Sequence, residues 1–146
     1  MNRKLIKTLV ALIFFIISLK IIFLYPANEK VQLKLMLIES EVSRLGYRTN
    51  WVVISEKRHP WYNKLLMNSS KNSLHLKGDA IDIYVFDVDW DNRFTKKDVE
   101  IIEQATKSVE KEFPELVGGF GTYMKKGFFS KRMIHIDTRG YYKRWY

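Results

Sequence analysis

The sequence predicts an α+β fold preceded by one membrane-spanning helix, and three observations carry that reading. An apolar run of 18 residues stands behind a basic start. Downstream, apolar residues recur with a helical period in two segments, and β-branched or aromatic residues crowd three others. The helical and extended segments are interspersed without the regular strand–helix–strand rhythm of a parallel sheet, which assigns the chain to the α+β class.

Residues 1–7 (MNRKLIK) form a positive leader, and residues 8–25 (TLVALIFFIISLKIIFLY) form the apolar run. As a helix, 18 residues span about 27 Å, close to the thickness of a bilayer core. Lys20 is the one charge inside, near enough to the far end to reach water. The run is longer than a signal-peptide core and no small-residue cleavage site follows it. The expectation is an uncleaved anchor over residues 1–27, with the basic leader inside and residues 28–146 facing the periplasm or the extracellular side.

In the second domain, residues 28–146, the first element is a helix over residues 29–45. Its apolar face is Val31, Leu35, Ile38, Val42 and Leu45, and Gly46 is its stop. Residues 51–54 (WVVI) read as a short buried strand. Residues 60–67 read as a short helix opening on Pro60. Residues 68–72 (NSSKN) are a polar loop, and residues 80–86 (AIDIYVF) are the best strand in the chain. Thr95 opens a further helix with Asp98 as its capping partner. That helix has Val99, Ile102, Ala105 and Val109 on its apolar face, and Pro114 stops it. Gly118, Gly119 and Gly121 mark a turn or tight strand, and residues 133–138 (MIHIDT) read as a last strand. The tail YYKRWY is aromatic and basic.

Composition narrows the chemistry. The chain has no cysteine, which excludes disulfides, thiolate metal ligands and thiol catalysis. The net charge is +9, but Arg3, Lys4, Lys7 and Lys20 precede residue 28 and no acid does, so the second domain carries +5. A mildly basic domain suits an anionic polymer. Nucleic acid is not expected as partner, because the aromatics read as core and export removes it.

The chain has three histidines: His59, His75 and His135. Residues 73–82 read S-L-H-L-K-G-D-A-I-D, in which Gly78 permits the turn that brings His75 back beside Asp82. Residues 135–137 read H-I-D, and strand alternation puts His135 and Asp137 on one face. Two imidazoles and one carboxylate suit zinc with a fourth position open to water. A histidine taken alone is more often a surface or packing residue, and His59 is read that way.

The pattern S-x-H-x-x-G-x-A-x-D followed by H-x-D resembles the zinc D-Ala-D-Ala carboxypeptidase family, which is similar to VanX-type dipeptidases, some phage endolysins and the hedgehog amino domain. The resemblance spans about residues 50–140. It rests on Ser73, His75, Gly78, Ala80 and Asp82, then on His135 and Asp137. Residues 118–123 (GGFGTY) resemble the glycine-rich approach to the second motif. Residues 55–63 (SEKRHPWYN) resemble an upstream S-x-x-R-x-x-x-x-N stretch. The resemblance implies a small antiparallel sheet with flanking helices, Zn2+ held by His75, Asp82 and His135, and hydrolysis of peptidoglycan stem peptides or cross-links. It implies that Arg58 binds the substrate and steadies the oxyanion, with Ser73 as a further substrate contact.

One departure stands out. Many members carry an acidic general base three residues before the last ligand, and here that position holds Arg132. Asp137 then has two readings: the substitute base, or the group that orients His135. The alternative to a zinc peptidase is a wall-binding module that keeps the zinc fold without turnover. A third reading is a membrane-tethered binding domain without metal.

Residues 87–98 (DVDWDNRFTKKD) place acids at positions 1, 3, 5 and 12 of a calcium-loop pattern. Asn92 stands where that pattern has glycine, and a strand rather than a helix precedes it. The expectation is a solvated turn that runs into a helix cap.

Overall fold

The computed structural model describes residues 25–66, 70–123 and 130–146. The predicted anchor, save Tyr25, lies outside the described residues. Among the described residues no helix is long and apolar enough to cross a membrane.

These residues build three helices and a five-stranded mixed sheet, an α+β fold. In chain order the elements are α1 (Glu29–Arg44), β1 (Trp51–Ser55), α2 (Pro60–Leu65), β2 (Ala80–Val85), α3 (Lys96–Glu112), β3 (Gly119–Thr122), β4 (Met133–Asp137) and β5 (Lys143–Trp145). Single 3-10 turns occupy Leu74–Leu76, Pro114–Leu116 and Ser130–Arg132. The strand order is β1-β2-β4-β3-β5.

The helices form where the apolar period placed them. α1 buries Val31, Leu35, Ile38 and Val42, and ends two residues before Gly46. α3 opens on the full capping box: the Thr95 hydroxyl accepts from Lys97 N, and the Asp98 carboxylate accepts from Thr95 N at 2.6 Å. It buries Val99, Ile102, Ala105 and Val109. Both apolar stripes meet one face of the sheet, made by Ile81, Ile83 and Val85 of β2, Ile134 and Ile136 of β4, and Phe120 of β3. Each such side chain, fully buried, contributes about 1.5–3 kcal/mol. Successive strand residues point to opposite faces. The core residues on one face therefore leave Asp82 and His135, direct cross-strand partners, on the other.

Two expectations about the sheet are corrected. It is mixed rather than antiparallel: β1, β2, β4 and β3 pair antiparallel, but β5 pairs parallel to β3. The chain leaves β4, turns at Gly140, crosses the start of β3 and runs back on its far side. β1 is a strand but not a buried one. It sits on the edge, with Val52, Val53 and Ile54 all exposed.

A buried ionic cluster joins four elements. Lys34 of α1, fully buried, donates to Glu110 of α3 at 2.6 Å and to the Asp137 carbonyl of β4 at 2.8 Å. Arg144 of β5 pairs with the other oxygen of Glu110. Burial pulls the Lys34 ammonium below its ordinary pKa, although Glu110 acts to raise it.

Candidate metal centre

His75, Asp82 and His135 reach one point from three separate segments. His75 stands in the 3-10 turn before β2, Asp82 in the middle of β2, and His135 opposite it on β4. The turn after His75 closes at Gly78 with φ of 83°, a conformation that costs glycine least. A Cβ there would also come within 2.9 Å of the Asn28 side chain.

The hydrogen-bond partners set the protons. His75 Nδ1–H donates to the Glu56 carbonyl at 2.7 Å, which leaves Nε2 with a lone pair. His135 Nε2–H donates to Asp137 Oδ2 at 3.0 Å, which leaves Nδ1 with a lone pair. Those two nitrogens and Asp82 Oδ1 face each other at 2.9, 3.1 and 3.3 Å. Three lone-pair atoms at such distances repel unless a proton or a metal cation sits among them. The edge of a tetrahedron with bonds of ~2.0–2.1 Å is about 3.3 Å, so the three donors could hold a tetrahedral metal ion.

Without a metal ion, a proton between the donors can take its place. Burial raises the Asp82 pKa, but hydrogen bonds from His135 and His75 outweigh it and hold the carboxyl below its ordinary range. Burial lowers the His135 pKa, and Asp137 and Asp82 together outweigh it, so the net shift is upward. Asp82 Oδ2 pairs with Arg58 Nη2, and Arg58 Nε donates to Ser55 Oγ at 2.7 Å. Arg58 thereby steadies the carboxylate that carries the third donor.

Asp137 lies away from the point where the three donors meet. It contacts the far nitrogen of the His135 ring, is fully buried, and is bound besides by Arg139 and by Gly119 N at 2.7 Å. Burial raises its pKa, but these partners prevail and lower it. The place of Asp137 suits the orienting of His135, not proton exchange at the open side.

The three donors sit at the floor of a cleft of about 770 Å³. Arg58 and Ser73 line it. Arg132 does not; it lines a second, smaller cleft with Arg48, Asp87 and Phe94. His59 caps α2, its Nδ1 accepting from Trp61 N at 3.4 Å, and is absent from the cleft lining. All 16 acidic side chains fall within the described residues, and Asp82 is the one that lines the cleft.

Sequence reasoning missed several lining residues: Tyr123, Arg139, Tyr141, Lys143 and Trp145. Trp145 lies 5.3 Å, ring to ring, from His135 and fills the space that Gly121 leaves. Burial and then the Asp82 charge raise the Tyr123 pKa, which keeps its hydroxyl protonated. The signal available was the YYKRWY tail, whose aromatics sit beside cations as binding surfaces do. Nothing in its local pattern aims it at His135. No protein-family model, curated protein or solved structure matches the chain.

Proposed function

We propose that the chain is a zinc peptidase that hydrolyses peptide bonds of peptidoglycan stem peptides or cross-links, held to the outer face of the cytoplasmic membrane by residues 8–25. The observation that supports this most is the convergence of His75 Nε2, Asp82 Oδ1 and His135 Nδ1 at the floor of an open cleft. Bound there, zinc supplies Lewis acidity toward a peptide carbonyl and lowers the pKa of water.

The chain's own residues do the rest. Glu56 O and Asp137 hold the two imidazoles in the tautomers that present lone pairs inward. Arg58, at the cleft wall, fixes Asp82 and would lend its guanidinium to a developing oxyanion. Lys143 brings a positive charge to the cleft, suited to a peptide carboxylate, and Tyr123 offers a protonated hydroxyl. Asp137 is here a positioning residue, not the base.

A second reading has its own observation. Asp82, a ligand, is the one carboxylate lining the cleft, so no acid stands free to move a proton. That favours a module that grips wall peptides around zinc without turnover. The two readings separate in one experiment on the full chain in detergent. The zinc-loaded protein is incubated with defined muropeptides, with and without chelator, and products are weighed by mass spectrometry. Chelator-sensitive release of an amino acid or peptide is the expected outcome. Retention of the peptides with no new mass overturns the peptidase and leaves the binding module.

A further inference from the structure

The loop between β2 and α3 carries Asp87, Asp89 and Asp91, and Asp98 follows in the first turn of α3. The fold takes Asp98 out of any ligand set: its oxygens accept from Val88 N and Thr95 N, each at 2.6 Å, as a helix cap. The other three acids stay together, each offering a carboxylate oxygen within 4.8 Å of the others. A cluster of acids alone proves little, but two carboxylate oxygens of its members are in an unusual state.

Asp87 is 7% exposed, and its Oδ2 takes Arg48 and the Asn92 N–H. Its Oδ1 is buried and meets no donor. The Asp89 side chain is 1% exposed, with Oδ2 on Lys97 Nζ at 2.9 Å, and its Oδ1 is likewise buried without a donor. Among the described residues these are the two buried carboxylate oxygens without a partner, and they stand two residues apart in one cluster. A buried anionic oxygen without a donor is costly, and a bound cation is one way to meet that cost.

We propose that Asp87, Asp89 and Asp91 hold a calcium ion. All-oxygen donors select a hard cation over zinc, and three carboxylates of a loop, without an octahedral frame, suit calcium better than magnesium with its strict octahedron. Arg48 and Lys97 already neutralise part of the cluster. The affinity therefore belongs with the weak sites of extracellular modules, at ~0.1–1 mM. The site stands independently of the peptidase reading.

Trp90 lies between two of the ligands and serves as a built-in antenna for terbium, a luminescent calcium substitute. The test uses the full chain in detergent with saturating zinc, so that the histidine centre is filled. Tryptophan-sensitised terbium emission should appear and be displaced by calcium, with a calcium dissociation constant, corrected for the terbium present, of ~0.1–1 mM. Asp91→Asn changes an exposed side chain and should weaken terbium binding at least tenfold, lowering the emission at a fixed terbium concentration, with thermal stability in calcium-free buffer unchanged. Absence of calcium-displaceable emission, or emission undiminished in Asp91→Asn, overturns the proposal. The Asp91 variant decides even where Asp89→Asn fails to fold.

Discussion

His135 uses both ring nitrogens in opposite directions, and that division explains its neighbour. Nδ1 faces Asp82 and His75, while Nε2–H is held by Asp137. A carboxylate on the far nitrogen fixes the tautomer and makes the near one a better donor to a metal. Asp137→Asn keeps the shape but loses the charge, and zinc affinity should fall ~10–100-fold, read by competition with a fluorescent chelator. His135→Ala should abolish stoichiometric zinc altogether. Equal zinc affinity in Asp137→Asn and the unaltered chain would remove the orienting role. The pairing of His135 with Asp137 was legible from H-I-D, since a strand repeats every two residues. Which nitrogen faces which partner was not, because that depends on the strand next door.

At the scale of elements, the amphipathic stripes of α1 and α3 and the apolar density of β2 and β4 stand in the sequence almost residue for residue. β1 was legible as a strand but not as an edge, since pairing partners decide exposure. β5 was not legible at all: three residues of a charged aromatic tail carry no period. Its place beside β3 depends on Gly121, where an added methyl would overlap the Trp145 ring. Gly121→Ala should therefore destabilise the fold by about 1–3 kcal/mol, as overpacking does. Trp145→Ala should cancel most of that penalty. A double-mutant cycle by urea denaturation measures it, and a coupling near zero would mean that Trp145 does not sit on Gly121.

For the whole molecule, the charge pattern predicts how stability follows pH. Without metal, His135 has a pKa above its ordinary 6.5, because Asp137 and Asp82 overcome the burial that lowers it. A group raised on folding lends stability below its unfolded pKa and loses it as pH rises through the folded one. Asp137 works the other way: its depressed pKa lends stability above the ordinary carboxylate range and withdraws it in stronger acid. In chelator, the contribution from His135 should thus decline as pH climbs above 6.5. Zinc has to displace that proton, so its apparent affinity rises with pH. The gap in Tm between zinc-loaded and chelated protein should widen from pH 6 to pH 8, read by scanning calorimetry. A gap that narrows over this range would contradict the assigned proton positions.

The sequence by itself determined the α+β class, the helix and strand segments that face the core, the capping box at Thr95 and Asp98, and His75, Asp82 and His135 as the residues to watch. The segments and the cap are local properties, set by side-chain period, backbone freedom and turn chemistry within a few residues, whereas the three candidate ligands stood out by what their motifs resemble. Only the tertiary structure decided that the three donors meet within bonding reach of one cation, that Arg132 faces another cleft, that Trp145 walls the site, that Lys34 is buried against Glu110, and that two oxygens of Asp87 and Asp89 are sealed in without a donor. Each of those depends on segments far apart in the chain. Their approach is governed by the packing of helices on a sheet rather than by any pattern a single segment can carry.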